Sequence, residues 1–302
     1  MKLLHSYSQG FKQTFSNKKI ITILYSILLL LALALAIPFS KTIKVEAGNS
    51  MVITKLLNDF NYTVYTDFMR EAGKSIKPYI STAFWIAILY LLFTIFFSGG
   101  ILTFLKNGEG NKSLKVFWQG CAIYFWRFFR LALYMIILQI IAFALVYFPL
   151  TAIIASISKT SIEPTIFYTA IVGVVIHLVL FITLLTVTDY AKIMMIEHEE
   201  YRPFRTLVRS FGFVFRHLFS TIGLYKFLLL FPILLFIIYF LVIDKIGMST
   251  GLAIFITFIL QQLFIWLRVF VKVWFLASEL DLYNRFENKD EPVFEGEPAL
   301  ES

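Results

Sequence analysis

Four polar side chains stand near the middle of long apolar stretches of this sequence: Gln139, His177, Gln261 and Gln262. Polar groups surrounded by hydrocarbon are costly, so such positions are candidates for function. If the four lie in one layer, they predict a small polar pocket or a proton-sensitive site around His177, because an imidazole titrates near neutral pH. Alternatively, they form hydrogen bonds between helices, worth about 0.6 kcal/mol each, which only fix the packing.

A second group of candidate residues is basic. Arg202, Arg205, Arg209 and Arg216 recur at intervals that bring them within about 60° of one another on a helix. The opposite side of that helix carries only apolar residues: Phe204, Leu207, Val208, Phe211, Val214, Phe215, Leu218 and Phe219. This pattern predicts an amphipathic helix in the membrane interface, with its arginines among anionic lipid headgroups. The alternative is simple anchoring of a connecting helix by positive charge.

The segment 113–130 repeats this design, and it adds Arg127 and Arg130 to the candidate headgroup ligands because long basic side chains reach towards the interface. Asp189 follows an apolar stretch and stands close to Lys192. It is interpreted as one half of an organising ion pair with a basic residue of a neighbouring segment, such as Arg127 or Arg268.

Catalytic and metal-binding motifs are incomplete in this sequence. His198, Glu199 and Glu200 resemble the start of an H-E-x-x-H zinc motif, but Arg202 stands where the second histidine is required. Cys121 is the single cysteine, which excludes an intrachain disulfide and a cysteine-based zinc cluster. We therefore predict no catalytic residue, no metal site and no cofactor, and the protein is interpreted as a non-enzyme.

Six apolar stretches must position these residues. They cover approximately 20–39, 82–104, 131–150, 167–189, 222–243 and 251–273. About 20 apolar residues in a helix cross the ~30 Å hydrocarbon core of a bilayer, so each stretch is long enough to span. Hydrophobic residues make up 59% of the chain and charged ones 15%, whereas about a quarter of an ordinary soluble domain is charged. The predicted fold class is an all-α integral membrane protein with six transmembrane helices and amphipathic interfacial elbow helices.

Lysine and arginine give the predicted orientation, because they concentrate in short cytoplasmic segments. Most of the 27 basic residues fall in alternate segments if both termini are cytoplasmic. The N-in/C-in arrangement leaves an outer-face loop over 40–79, in which 50–71 has the apolar spacing of an amphipathic helix. The predicted location is the inner (cytoplasmic) membrane of a bacterium, crossed several times.

The end of the sequence differs in composition from the predicted membrane domain, 1–278. Residues 279–302 hold eight acidic and two basic residues, and Pro292 and Pro298 interrupt helical structure. Low hydrophobicity with high net charge predicts disorder, so we interpret 279–302 as an acidic cytoplasmic tail and a possible contact for a protein partner. The basic residues flank the apolar stretches at headgroup depth, which predicts anionic lipids as partners and no nucleic acid.

Several short motifs carry a resemblance to a known group of proteins. They are Ser98-Gly99-Gly100-Ile101, Phe117 and Gly120, and Asp189-Tyr190-Ala191-Lys192 followed by Arg205 and Ser210. Over most of residues 1–285 the chain resembles bacterial multi-span proteins similar to the membrane domain of some glycerophosphodiester phosphodiesterases. The sequence contains no phosphodiesterase domain, so the resemblance does not imply that activity. It implies a six-helix bundle with interfacial helices and a role near phospholipids.

Together these features predict a non-enzymatic inner-membrane protein that engages anionic phospholipid through basic interfacial helices, as a membrane-organising protein or a subunit of a complex. The alternative is a transporter or permease for a lipid-like or small amphipathic solute, which requires a cavity reaching Gln139, His177 and Gln261. An intramembrane hydrolase requires a cluster of carboxylates or histidines that the sequence does not indicate.

Overall fold

The computed structural model describes residues 2–48, 61–107, 113–157, 163–246 and 250–290. Within these ranges the secondary structure is helical, and no strand occurs. The helices are α1 (Lys2–Ser16), α2 (Lys18–Ala47), α3 (Tyr62–Lys106), α4 (Leu114–Ile157), α5 (Glu163–Glu197), α6 (Pro203–Arg216), α7 (Leu218–Ile246) and α8 (Gly251–Asp290).

Six of these helices, α2, α3, α4, α5, α7 and α8, are long and apolar enough to cross a membrane. Each contains one of the six apolar stretches. Large apolar side chains on them face outwards, as in Phe148 and Leu145, which are 76% and 69% exposed. Exposed apolar surface on this scale marks contact with lipid or protein rather than with water. The structure therefore agrees with a multi-pass membrane protein.

The helices extend well beyond the predicted spans. With 45 residues, α3 is about 68 Å long at 1.5 Å per residue, more than twice the hydrocarbon core. The described part of the predicted outer-face loop, 40–79, is helical, since α2 continues to Ala47 and α3 begins at Tyr62. The predicted helix over 50–71 is present from residue 62, while 49–60 lie outside the described residues. The segment 113–130 is likewise no separate elbow, because α4 is continuous through it.

The described chain forms two compact units. Unit 1 consists of the described residues within Met1–Gln13, Gly99–Leu228 and Trp274–Ser302, and unit 2 of those within Thr14–Ser98 and Leu229–Val273. In unit 1, α4, α5 and α6 pack against one another. Tyr190, Met195 and Phe117 are among its largest fully buried side chains.

Glycines allow a close approach of α3 and α4 within unit 1. A Cβ atom on Gly100 would lie 2.7 Å from the carbonyl oxygen of Phe117, and one on Gly99 would lie 2.9 Å from that of Gly120. Both distances are shorter than van der Waals contact, so only glycine fits at this crossing without a shift of the helices. The first residues of α4 are therefore held tightly against the last turns of α3.

In unit 2, polar side chains join neighbouring helices. Tyr25 on α2 donates a hydrogen bond to Gln262 Oε1 on α8 at 2.8 Å. The hydroxyls of Thr42 and Tyr79 are 2.6 Å apart and join α2 to α3. Aromatic packing adds to these contacts, because the rings of Tyr239 and the facing Phe264 stack with centroids 4.4 Å apart.

The boundary predicted at 278/279 falls inside α8. Residues 279–290 are helical, and Glu279, Leu282 and Tyr283 are buried within unit 1. The interpretation of this part as a disordered tail is wrong, because apolar residues at helical spacing continue past the predicted span and pack against the protein. Residues 291–302 lie outside the described residues.

Candidate functional site

Helix α6 has three distinct faces, set about 120° apart at 3.6 residues per turn. The first face packs against the rest of unit 1. It consists of five buried residues, Pro203, Thr206, Leu207, Ser210 and Val214. Leu207 and Val214, which the sequence pattern grouped with the apolar side of an interfacial helix, are only 3% and 0% exposed. The protein itself therefore covers part of the apolar side of this helix.

The second face, the apolar stripe, is exposed. Phe204, Val208 and Phe215 are 62%, 57% and 60% exposed, and partly exposed Phe211 lies between them. Tyr134 of α4 contacts Phe204 at one end, with ring centroids 5.9 Å apart. A row of phenylalanines outside the protein core is typical of a helix that buries one side in acyl chains.

The third face, the arginine face, carries Arg205, Arg209 and Arg216, with Arg202 just before the helix. All four side chains are exposed. None of the four forms an ion pair with another residue in the described ranges. Their charges are therefore available to a partner outside the described chain.

Local sequence determines where α6 begins. Pro203 occupies the first turn, where its missing N–H costs nothing and its fixed φ suits the helix. Arg202 before it is extended, at φ −106° and ψ 92°, as a residue preceding proline prefers. Upstream, Glu199 has φ 51°, a left-handed conformation that turns the chain between α5 and α6. These residues place α6 directly after α5.

Two cationic side chains stabilise the connection between α5 and α6, residues 198–202, and the end of α5 before it. Lys106 Nζ donates hydrogen bonds to the carbonyl oxygens of Ile196 and Glu197, at 2.8 and 3.2 Å, and it pairs with the Glu197 carboxylate at 3.4 Å. A cation here also interacts favourably with the C-terminal dipole of α5. Arg127 lies 3.7 Å above the Tyr201 ring and donates to the carbonyl oxygen of Glu200 at 3.4 Å.

These contacts show that Arg127 differs from the other candidate headgroup ligands. Arg127 is buried and holds the connection, so it differs from the exposed arginines of α6. Arg130 is exposed, and its Nε donates to the carbonyl oxygen of Trp126 at 3.4 Å. Asp189 pairs with Lys192 on its own helix at 2.9 Å, and not with Arg127. The i, i+3 spacing explains this partner, since residues three apart are neighbours on a helix surface.

The end of α8 contacts the far end of α6. Phe286 stacks on the ring of His217 with centroids 4.1 Å apart, and Tyr283 lies 5.1 Å from Phe213. His198 Nε2 is 2.9 Å from both Glu287 Oε1 and the Tyr283 hydroxyl. Thus α8 holds both the connection before α6 and its last turn.

A buried polar cluster lies within unit 1 and was not predicted from the sequence. Glu279 is 0% exposed, and neither carboxylate oxygen has a hydrogen-bond partner among the described residues. It interacts electrostatically with Asp189 and Lys192, and with the fully buried Tyr190. The available signal was the apolar periodicity of α8 beyond residue 273, which places Glu279 on a packed helix.

The four mid-stretch polar residues are divided between the two units. Gln262 bonds to Tyr25 within unit 2, and Gln261 beside it is partly exposed. In unit 1, Gln139 Nε2 and His177 Nδ1 have no hydrogen-bond partner among the described residues. The His177 ring lies against aromatic rings of α4, 5.4 Å from that of Tyr147. The His177 ring is therefore packed among aromatic rings of α4 and α5.

Comparison of the chain with protein-family models, with curated proteins and with solved structures finds no match. The arrangement of α6 is therefore the main structural evidence on function.

Proposed function

We propose that this protein is a multi-pass inner-membrane protein that binds anionic phospholipid through the arginine face of α6. The observation that carries the proposal is the division of α6 into a buried face, an exposed apolar stripe and an arginine face. A helix with these three faces satisfies three surroundings at once: protein, acyl chains and headgroups. A soluble surface helix would place polar residues where Phe204, Val208 and Phe215 are exposed.

The expected contribution of charge is considerable. Each basic residue near an anionic membrane surface contributes about 1 kcal/mol, so Arg205, Arg209 and Arg216 together contribute about 3 kcal/mol. That free energy corresponds to a preference of about 100-fold for anionic over neutral headgroups at this site. The preference falls with salt because exposed charges are screened.

The proposal includes an orientation. If α6 binds anionic lipid of the inner leaflet, it lies on the cytoplasmic side, and both termini are cytoplasmic. The distribution of lysine and arginine supports this arrangement. The resemblance to membrane domains of glycerophosphodiester phosphodiesterases also agrees with a role near phospholipids. A membrane-organising protein or a subunit of a complex fits these features without requiring an active site.

The test is the lipid that remains bound after mild detergent purification. Arg205→Glu combined with Arg209→Glu removes about 2 kcal/mol of attraction and adds two negative charges, so the ratio of anionic to zwitterionic lipid, measured by mass spectrometry, is expected to fall at least about 30-fold. The matched control is Lys74→Glu with Lys77→Glu on α3, which makes the same change in charge at two exposed positions. This control is expected to leave the ratio unchanged.

An unchanged ratio in the α6 variant would contradict the proposal, and so would an equal loss in both variants. Because Arg205 and Arg209 are exposed and form no ion pair within the described chain, the α6 variant is expected to keep its helical content and unfolding temperature. A circular-dichroism melt checks this before the lipid is measured.

A further inference from the structure

The last turns of α8 end beside one particular side of α6. Phe286 contacts Phe213 and His217, with ring centroids 6.1 and 4.1 Å apart. On the helical wheel these two residues lie between the buried face and the arginine face. The apolar stripe is on the other side, where Tyr134 contacts Phe204. Tyr283 also interacts electrostatically with Arg209, so the end of α8 borders the arginine face.

The sequence that follows α8 has the opposite charge. Residues 291–302, here called the acidic segment, contain Glu291, Glu295, Glu297 and Glu301 and no lysine or arginine. The arginine face carries exposed cations without ion-pair partners in the described ranges. The acidic segment therefore follows a described contact with the end of α6 by four residues, and its charge is opposite in sign to that of the arginine face.

The acidic segment is also long enough to cover α6. Twelve extended residues span at most about 40 Å at 3.3 Å per residue. Helix α6 has 14 residues and is about 21 Å long. The segment starts after Asp290, four residues beyond the contact of Phe286 with α6. It can therefore run along the arginine face from His217 towards Arg205.

We propose that the acidic segment 291–302 binds the arginine face of α6 and competes there with anionic lipid headgroups. The docking stands on the geometry of α6 and α8, while the competition rests on the proposed function. Occupation of the arginines by the segment would lower lipid binding, and displacement of the segment would raise it. The segment would thus act as a built-in regulator of the lipid site.

Docking is tested without lipid chemistry by disulfide formation in the full chain. One cysteine replaces Gly296 and the other replaces Gly212, which is exposed beside the arginine face and has no atom within 4 Å of a Cβ. The native Cys121 is fully buried. The control pairs Gly296→Cys with Phe215→Cys on the apolar stripe. Disulfide formation at position 212 is expected to be about tenfold faster than in the control, an effect the size of a few exposed ion pairs.

Changing all four glutamates of the acidic segment to glutamine is expected to slow the 212–296 disulfide about tenfold and to raise retained anionic lipid severalfold. Equal rates at positions 212 and 215, or a rate indifferent to the glutamates, would overturn the docking. A charge-dependent disulfide with unchanged lipid would overturn the competition alone. If Arg205→Glu with Arg209→Glu leaves lipid unchanged, the proposed function fails, and the disulfide rates still decide whether the segment docks.

Discussion

The close crossing of α3 and α4 provides a sharp test of the structure. In Gly100→Ala, the new methyl group would lie 2.7 Å from the Phe117 carbonyl oxygen and 2.9 Å from Phe117 Cδ2, and closest of all to Cys121 Sγ. Phe117 and Cys121 are 1% and 0% exposed, so neither can move into open space. The clash with the carbonyl oxygen cannot be relieved by a change of side-chain rotamer. The two helices must separate instead.

The magnitude follows from two opposing terms. Alanine is the better helix former in a helix interior by about 1 kcal/mol. Overpacking a well-packed core costs about 1 to 3 kcal/mol, and occasionally more. Because the contact of Gly100 includes backbone, we take the upper end of that cost, which leaves a net loss of about 2 kcal/mol in the free energy of unfolding.

The matched control is the same substitution at an open position. A Cβ on Gly212 of α6 meets no atom within 4 Å, so Gly212→Ala retains only the gain in helix propensity, up to about 1 kcal/mol. Denaturant titration of both variants in detergent micelles measures the two free energies. Opposite signs are expected. A stabilised Gly100→Ala, or the same change in the free energy of unfolding in both variants, would refute the α3–α4 contact.

Three further substitutions test other contacts by the same denaturant titration, with hydrogen exchange added for the second. Glu279→Gln keeps the size of a buried side chain that lacks a hydrogen-bond partner in the described ranges. The free energy of unfolding is expected to stay the same or rise by about 1 kcal/mol, because a buried charge is removed. A loss of more than about 1 kcal/mol would show that the carboxylate is required. Lys106→Ala removes charge-assisted hydrogen bonds worth about 1.5 to 3 kcal/mol from the end of α5, and hydrogen exchange after Glu197 should accelerate. An unchanged exchange rate would show that Lys106 does not stabilise the end of α5. Tyr25→Phe is expected to cost about 0.6 kcal/mol, and no loss should follow once Gln262→Leu has removed the acceptor.

The sequence predicted the six long helices because a single physical requirement, the thickness of the hydrocarbon core, determines their length. That requirement does not indicate where a helix ends outside the bilayer. Helix α4 includes 114–130 as well as the apolar stretch that follows, and α3 begins at Tyr62. Both features depend on packing, which the length of an apolar stretch does not predict. For α6, the pattern correctly separated arginines from apolar residues. It could not divide the apolar residues further, because burial of Leu207 and Val214 depends on neighbours distant in sequence.

The acidic residues near the end of the chain show why average charge misled the prediction. Over 279–302 the composition is that of a disordered segment, yet Leu280, Leu282 and Tyr283 are buried together with Glu279. Averaging the charge over 279–302 concealed the apolar residues that recur at helical spacing in the last turns of α8. The division matters for the proposed docking, because the packed part brings the end of α8 to α6, just before the acidic segment begins. A carboxylate enclosed in unit 1 and one in the acidic segment have the same formal charge, but our proposal assigns competition with lipid headgroups for Arg205 and Arg209 to the second alone.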